Sequence, residues 1–265
     1  MNTPNPRDET SFRKRISRLY RQTVRETRWA LEWRRLKRLE NTYQGKRAFL
    51  VGNGPSLKLL PLTKLEGEVV CVVNLGLRAV GPLISHADIY FINDVYCFES
   101  YGAEIERDID RHGISLRFMN LRLKSRWNAL ENRGMRPFFI LGERSIIRDS
   151  KRILPLRYGF TRGATVLISA ASVLKFLGFA EVYIIGCDLD YGSSDKYFYA
   201  MDTQDVAHEN RPEIADRRRD MVFANREFEL MRAFYESSGQ KLINAGRGGN
   251  LNTLERVSFE SLFLE

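Results

Sequence analysis

The sequence predicts an α/β protein: one Rossmann-like domain on a mostly parallel central sheet, with helices on both faces, a lid segment and a basic helical extension at the amino terminus. Three observations predict it. Short apolar runs recur along the chain from Ala48, and two of them, Val69–Val73 and Val182–Ile185, are apolar without a break. Such runs suit parallel strands covered on both faces. Helical or loop segments separate the runs, the order expected of crossover connections in a parallel sheet. The first run then breaks into Gly52-Asn53-Gly54-Pro55-Ser56, the kind of turn that open α/β sheets place beside a ligand at a strand's carboxyl end.

Residues 1–46 read as the extension and 47–265 as the domain. Within the extension, Phe12, Ile16, Leu19, Tyr20 and Val24 repeat at helical spacing, continued by Trp29, Trp33 and Leu36, so 11–43 reads as one long helix or two. Residues 1–47 hold 14 Lys/Arg and 5 Asp/Glu, leaving 28 basic and 28 acidic residues for the rest. The whole net charge of +9 therefore belongs to this segment. A basic helix with tryptophans fits an anionic membrane surface; it equally fits docking on the domain with its arginines solvated. Nucleic acid is not an expected partner, since no aromatic-basic sheet motif or helix-turn-helix accompanies the charge. Association with a second copy is left open.

No run approaches the ~20 apolar residues of a membrane span. The opening MNTPNPRDET lacks the basic-then-apolar pattern of a secretory signal. Cys71, Cys97 and Cys187 are odd in number and widely spaced, which reads as buried thiols in a reducing compartment. The expected location is the cytoplasm, at the inner face of the membrane if 11–43 serves as an anchor.

The strand runs are Ala48–Val51, Val69–Val73, Ile89–Ile92, Ser115–Met119, Pro137–Leu141, Val182–Ile185 and Lys241–Ile243. Helices are expected at Leu57–Leu60, capped by Ser56, at Ala164–Leu177 and at about Arg217–Tyr235. The charged, Gly- and Ser-containing stretch from Tyr191 to Asp216 is long for a structureless loop, and such segments commonly close over ligands.

Chemistry is expected at the carboxyl ends of the strands. Gly52, Asn53, Gly54 and Ser56 follow the first run, Asn74 the second, Asn93 and Asp94 the third, and Gly186, Cys187, Asp188 and Asp190 the run at 182–185. Thr161, Arg162 and Gly163 precede the helix at 164, where backbone N–H groups and a guanidinium would suit a phosphate. Amides can read a nucleobase and a carboxylate can accept a ribose hydroxyl. Each such residue taken alone is also an ordinary cap or turn former.

No HExxH, CxxC, GxSxG or GxxxxGK[ST] motif occurs. Asp188-Leu189-Asp190 has the spacing of a DxD metal motif, but the strand is expected to end before it, and no metal site is assigned. Of three histidines, His86 and His112 read as surface turn residues. His208 lies in the lid beside Glu209, where an imidazole can serve as general base near neutral pH. Asp216-Arg217-Arg218-Arg219-Asp220 reads as a solvated helix start whose arginines could clamp an anion.

The chain resembles the bacterial sialyltransferases of the Campylobacter type and the wider superfamily that includes the 6-hydroxymethylpterin diphosphokinases. The resemblance runs from about 47 to 255 and rests on Gly52-Asn53-Gly54-Pro55-Ser56-Leu57, the Asn74 and Asn93 strand ends, Gly163 before an alanine-rich helix, and the stretch from Leu177 to Asp188. It implies that Asn53, Gly54, Asn74 and Asn93 contact the cytidine and phosphate of a CMP-activated sugar. It further implies that Thr161, Arg162 and Gly163 lie near the donor carboxylate or phosphate, that Asp188 holds the nucleotide, and that Tyr199 reaches the leaving phosphate. The implied reaction inverts the anomeric centre without a metal. Two departures stand out: the region matching the family's catalytic histidine, about Met221–Arg226, contains none, and the serine of the family's Thr-Ser-Gly is Arg162.

The expected function is transfer of a sialic-acid-like sugar from a CMP donor to a surface-glycan or lipid-linked acceptor. His208 (or Asp188 or Asp190) would be the base, with Arg162 and Tyr199 supporting the leaving group. The alternatives are an ATP/Mg²⁺-dependent diphosphotransferase acting on a pterin-like alcohol, and a non-catalytic binding module. Apart from Mg²⁺ in the diphosphotransferase case, no cofactor is expected.

Overall fold

The computed structural model describes residues 23–131, 133–146, 153–190, 196–214 and 220–264. The chain enters its sheet through β1 (Arg47–Val51), then lays down β2 (Val69–Val73), β3 (Ile89–Ile92), β4 (Leu116–Asn120) and β5 (Phe138–Ile140) in sequential order to one side. A separate parallel pair follows, β6 (Gly142–Ile146) with β7 (Phe160–Arg162). The chain then crosses back, and β8 (Glu181–Ile185) and β9 (Lys241–Asn244) extend the sheet on the other side of β1. The order is β5-β4-β3-β2-β1-β8-β9, every pairing parallel. All seven expected strands are present. Phe49, Leu50, Val51, Val72, Ile184 and Ile185 are fully buried, so the unbroken apolar runs do mark strands covered on both faces.

This order creates a switch point between β1 and β8, where successive connections leave in opposite directions and the strand ends part. Ala48 pairs with Val69 on one side and Val182 on the other, bringing Gly52 and Gly186 side by side at the top of the sheet.

The described helices are α1 (23–36), α2 (Val95–Arg111), α3 (Lys124–Asn128), α4 (Val166–Leu177), α5 (Thr203–Glu209) and α6 (Ala224–Glu236). α4 starts two residues later than expected because Thr165 is its cap, accepting from Leu167 N; Gly178, at φ 92°, ends it in the left-handed conformation that glycine adopts without strain. α6 follows a short 3₁₀ turn at Asp220–Phe223, and 217–219 lie outside the described residues. α2 was not expected, although Phe98, Tyr101, Ile105 and Ile109 face the core at helical spacing. Leu57–Leu60 is not a capped helix: a 3₁₀ turn spans Pro55–Leu59 with Gly54 at its cap position, and Ser56 lies inside it.

The described part of the extension packs on the domain. Trp29 is 8% exposed, Leu36 is fully buried, and Trp33 meets Phe176 with ring centroids 5.5 Å apart. Trp29 Nε1 donates to the Arg157 carbonyl at 2.9 Å. Two of the extension's charged residues dock too: Arg35 donates to the carbonyls of Pro137 and Arg136 and covers the Phe138 ring, and buried Glu32 pairs with Lys124 and Arg136, while Arg28, Arg34, Lys37 and Arg38 are exposed. Residues 11–22 of the expected helix lie outside the described residues. Trp29→Ala is expected to cost about 3 kcal/mol of stability, read as a lower urea midpoint; an unchanged midpoint would mean that α1 is not part of the cooperative fold.

Candidate functional site

The ends of β1 to β4 and β8, the 163–165 loop and the segment from Lys196 to Ile214 enclose a cavity of about 270 Å³ at the switch point. Gly52, Asn53, Gly54, Asn74, Asn93, Asp94, Gly163, Asp188, Asp190, Tyr199 and His208 all line it. The sequence-predicted residues are thus largely brought to one place, from strands far apart in the chain.

The corner between β1 and β8 is built by close backbone approach. Gly52 N donates to Ile185 O and Gly54 N to Gly186 O, each at 2.9 Å. A Cβ on Gly52 would stand 2.3 Å from Gly186 O, and one on Gly54 2.4 Å from Asp188 Oδ2. Asp188 accepts from Ser56 N at 3.0 Å, so its carboxylate holds the turn after β1 as well as facing the cavity. Leu189, at φ 50°, breaks the extended backbone between Asp188 and Asp190, so the strand has ended before the DxD spacing, as expected. Among the described residues no group of His, Cys, Asp and Glu is arranged to hold a metal ion.

Next to this corner stand two buried amide oxygens. Asn53 Oδ1 and Asn74 Oδ1 have no hydrogen-bond partner among the described residues. Gly76 makes room for the first, since a Cβ there would come within 3.0 Å of it. Asn74 takes φ 48°, a left-handed conformation that asparagine tolerates better than most residues. A buried polar atom left without a partner costs free energy, and both asparagines are among the residues lining the cavity.

Other predicted residues are engaged locally. Asn93 Nδ2 donates to Ser169 Oγ. Asp94 caps α2, accepting from Tyr96 N and Cys97 N. Thr161 is buried in β7 and does not line the cavity; neither does Ser56, whose backbone rather than hydroxyl makes the contact to Asp188. These two are corrections, because Thr161 was expected to line an anion site and Ser56 to cap a helix. The start of α4 already receives a carboxylate from the protein: Glu227 on α6 accepts from Ala164 N. Arg162 belongs to β7 by its backbone, and its side chain lies outside the described residues, as do Tyr191, residues 192–195 and 215–219.

The segment expected to act as a lid carries α5 and docks across the cavity. Phe198 N donates to Asn53 O at 3.0 Å. Tyr197 and Tyr199 stack in parallel, centroids 5.1 Å apart, and Tyr197 OH donates to Glu209 at 2.7 Å. Asp205, 3% exposed, accepts from Arg78 at 2.8 Å and Tyr101 OH at 2.7 Å, and forms a capping box with Asp202. The Arg78 guanidinium lies 4.7 Å from the Tyr199 ring centre and 5.4 Å from that of Tyr101. Burial raises the Asp205 pKa, but the Arg78, Tyr101 and Asp202 hydrogen bonds outweigh it and hold the carboxyl below its ordinary value. Burial, opposed by Arg78 and reinforced by Asp205, keeps the Tyr199 phenol protonated. His208 Nδ1 lies 3.2 Å from Ser100 Oγ, with its ring edge-on to Tyr101.

Sequence reading missed Arg78, Tyr101, Asn120, Arg122, Lys196 and Asp205. Asn120 was within reach: it continues the pattern of an asparagine at each strand end, and an expected strand ending at Met119 stopped one residue short of it.

No family model matches the chain, and no curated protein sequence does so. Among solved structures, the MAf glycosyltransferase from Magnetospirillum magneticum AMB-1 superimposes with TM-score 0.51 at 14% identity, over 88% of this chain and 39% of that one. The monofunctional alpha-2,3-sialyltransferase Cst-I from Campylobacter jejuni gives 0.51 at 16% identity, over 75% of each chain. The fold is shared with these glycosyltransferases. The sialyltransferase CstII from the same species, solved with cytidine-5′-monophosphate, follows at 0.49 and 17%, over 82% of this chain and 88% of that one. This chain spans well under half the length of the Magnetospirillum protein. At such identities the likeness is one of fold. No described helix is long and apolar enough to cross a membrane.

Proposed function

We propose that the chain is a metal-independent, inverting glycosyltransferase that moves a sialic-acid-like sugar from a CMP donor to a glycan or lipid-linked acceptor. The observation that carries this reading is the pair of buried, unpartnered amide oxygens of Asn53 and Asn74 at the β1–β8 switch point. Such acceptors suit the exocyclic amino group of a cytosine or a ribose hydroxyl.

The remaining roles follow from placement. Asp188 fixes the turn that carries Asn53 and Gly54. His208, oriented by Ser100, takes the proton of the acceptor hydroxyl as that oxygen bonds to the anomeric carbon. The bond from that carbon to the phosphate breaks in the same step, and CMP leaves; a single displacement inverts the centre. Tyr199, held protonated, donates to the departing phosphate, and Arg162 is assigned the supporting positive charge.

Isothermal titration tests the reading. CMP is expected to bind without Mg²⁺, and Asn53→Ala to weaken it roughly tenfold. ATP binding only with Mg²⁺, with no response to CMP, would replace this reading with a diphosphotransferase. CMP binding without turnover of any CMP-sugar, including its hydrolysis, would leave a nucleotide-binding module.

A further inference from the structure

The loop after β9 meets Asp188 from outside the cavity. Asn250 N donates to Asp188 O at 2.7 Å, and Asn250 Nδ2 lies 3.5 Å from Leu189 O. Gly249, at φ 73°, passes so close that a Cβ would stand 2.8 Å from both Cα and O of Asp188. No residue of 246–256 lines the cavity, yet this loop rests on the backbone of one that does. The Asp188 carboxylate in turn accepts from Ser56 N at 3.0 Å, across 132 residues of sequence.

One guanidinium organises the loop. Arg256 donates from Nη1 to the carbonyls of Gly246 at 2.8 Å and Gly248 at 2.6 Å. From Nη2 it donates to those of Gly249 at 3.4 Å and Leu251 at 3.1 Å. Four carbonyl dipoles therefore converge on a single cation, and hydrogen bonds from a charged donor are the stronger kind. The planar fork of a guanidinium spreads its donors over such a ring, whereas the ammonium of lysine presents a point charge.

Both sides of the loop are pinned. Asn244 N donates to Glu255 O at 2.8 Å and Val257 N to Asn244 O at 3.0 Å, so Arg256 pairs in parallel with the last residue of β9. On the other side Asn225, in the first turn of α6, donates to Asn250 O at 2.8 Å and accepts from Asn252 N at 3.0 Å.

We propose that Arg256 is a positioning residue for the nucleotide corner. Its guanidinium is the internal cation around which the 246–251 loop folds, and that loop holds Asp188 against the turn after β1. Contact runs from the guanidinium through Gly249 and Asn250 to Asp188, and from the Asp188 carboxylate to Ser56 N, beside Asn53 and Gly54. Nucleotide affinity is thus set partly from the outer edge of the sheet, by a residue that lies outside the cavity. The inference deepens the glycosyltransferase reading, on which its nucleotide half rests.

Amide hydrogen exchange on the full chain, which needs no ligand, tests the mechanical half. Arg256→Ala is expected to speed exchange at both Asn250 N and Ser56 N, and Arg256→Lys to do so nearly as much. Faster exchange at Asn250 N with Ser56 N unchanged would confine Arg256 to its own loop and overturn the proposal. Titration with CMP tests the other half. Arg256→Ala weakens CMP roughly tenfold; millimolar guanidinium chloride restores the affinity by refilling the ring of carbonyls, and sodium chloride at the same ionic strength does not. Arg47→Ala is the stability control, since it loses Glu68 and the Leu262 carbonyl at the opposite end of β1; it lowers the melting temperature and leaves CMP affinity unchanged. Wild-type CMP affinity in Arg256→Ala, failure of guanidinium to restore a weakened one, or an equal loss in the control overturns the proposal. Should Arg256→Ala fail to fold, Asn225→Ala removes the opposite clamp and is expected to show the same two fast amides and the same weakened CMP. If the wild type does not bind CMP, the glycosyltransferase reading falls, and the exchange result alone decides the role of Arg256.

Discussion

Replacing Arg78 with alanine lowers the melting temperature by about 6–12 °C and weakens any ligand held beneath the 196–214 segment. Arg78 is four-fifths buried and pairs with Asp205, which is 3% exposed. Removing one partner of a buried pair leaves the other charge uncompensated, at a cost of about 3 kcal/mol or more; in a chain of this size each kcal/mol moves the midpoint by about 2–4 °C. The same change removes the cation from the Tyr199 and Tyr101 rings. It therefore loosens α5 and, with it, His208. Calorimetry at several pH values checks the cause. Because the folded Asp205 carboxyl lies below its ordinary value, its contribution is present above the unfolded value near pH 4 and fades as pH falls through the lower folded value. The gap between wild type and variant should narrow on that descent. A gap that stays constant into acid would show that Arg78 acts through packing alone.

Gly52→Ala is expected to be the more damaging change. The added Cβ would meet the Gly186 carbonyl oxygen at 2.3 Å and its carbon at 3.0 Å, and neither is the end of a flexible side chain. Relief requires β1 and β8 to part at the point where Gly52 N and Gly54 N bond across to Ile185 and Gly186. Overpacking of this kind costs about 3 kcal/mol or more when backbone must move. It also displaces Asn53, so loss of nucleotide binding should exceed what the fall in stability explains. A variant that keeps wild-type stability and CMP affinity would refute the tight-corner account. Gly67→Ala gauges a different effect, the backbone strain of a positive φ alone, since nothing lies within 4 Å of an added Cβ there.

The sheet was legible because burial on both faces leaves an unambiguous mark. Val69–Val73 and Val182–Ile185 have no polar residue to blur the period, and each lies beside the central strand. β6 and β7 escaped notice because Gly142-Glu143-Arg144-Ser145-Ile146 is short and polar, and because the pair stands apart from the main sheet. At the site, asparagines at strand ends were readable since their positions follow from the strands. Arg78 was not, because its partner lies 127 residues away and nothing local in Leu77-Arg78-Ala79 announces it. Asp188 was read toward a ligand, yet it also holds the backbone of Ser56, a role that only the closeness of β1 and β8 reveals. The basic extension offered two surfaces for its tryptophans. Trp29 and Trp33 lie on the domain, through a carbonyl at Arg157 and the ring of Phe176.

That carbonyl has a consequence of its own. The turn it belongs to, Leu156–Tyr158, leads directly through β7 into Gly163, Ala164 and Thr165, which wall the cavity. A single indole N–H therefore links the amino-terminal helix to the wall of the pocket by a path of fewer than ten residues. Without α1 that carbonyl would lose its indole partner. The amino-terminal helix is therefore part of the scaffold behind the cavity wall, not only a neighbour of the sheet.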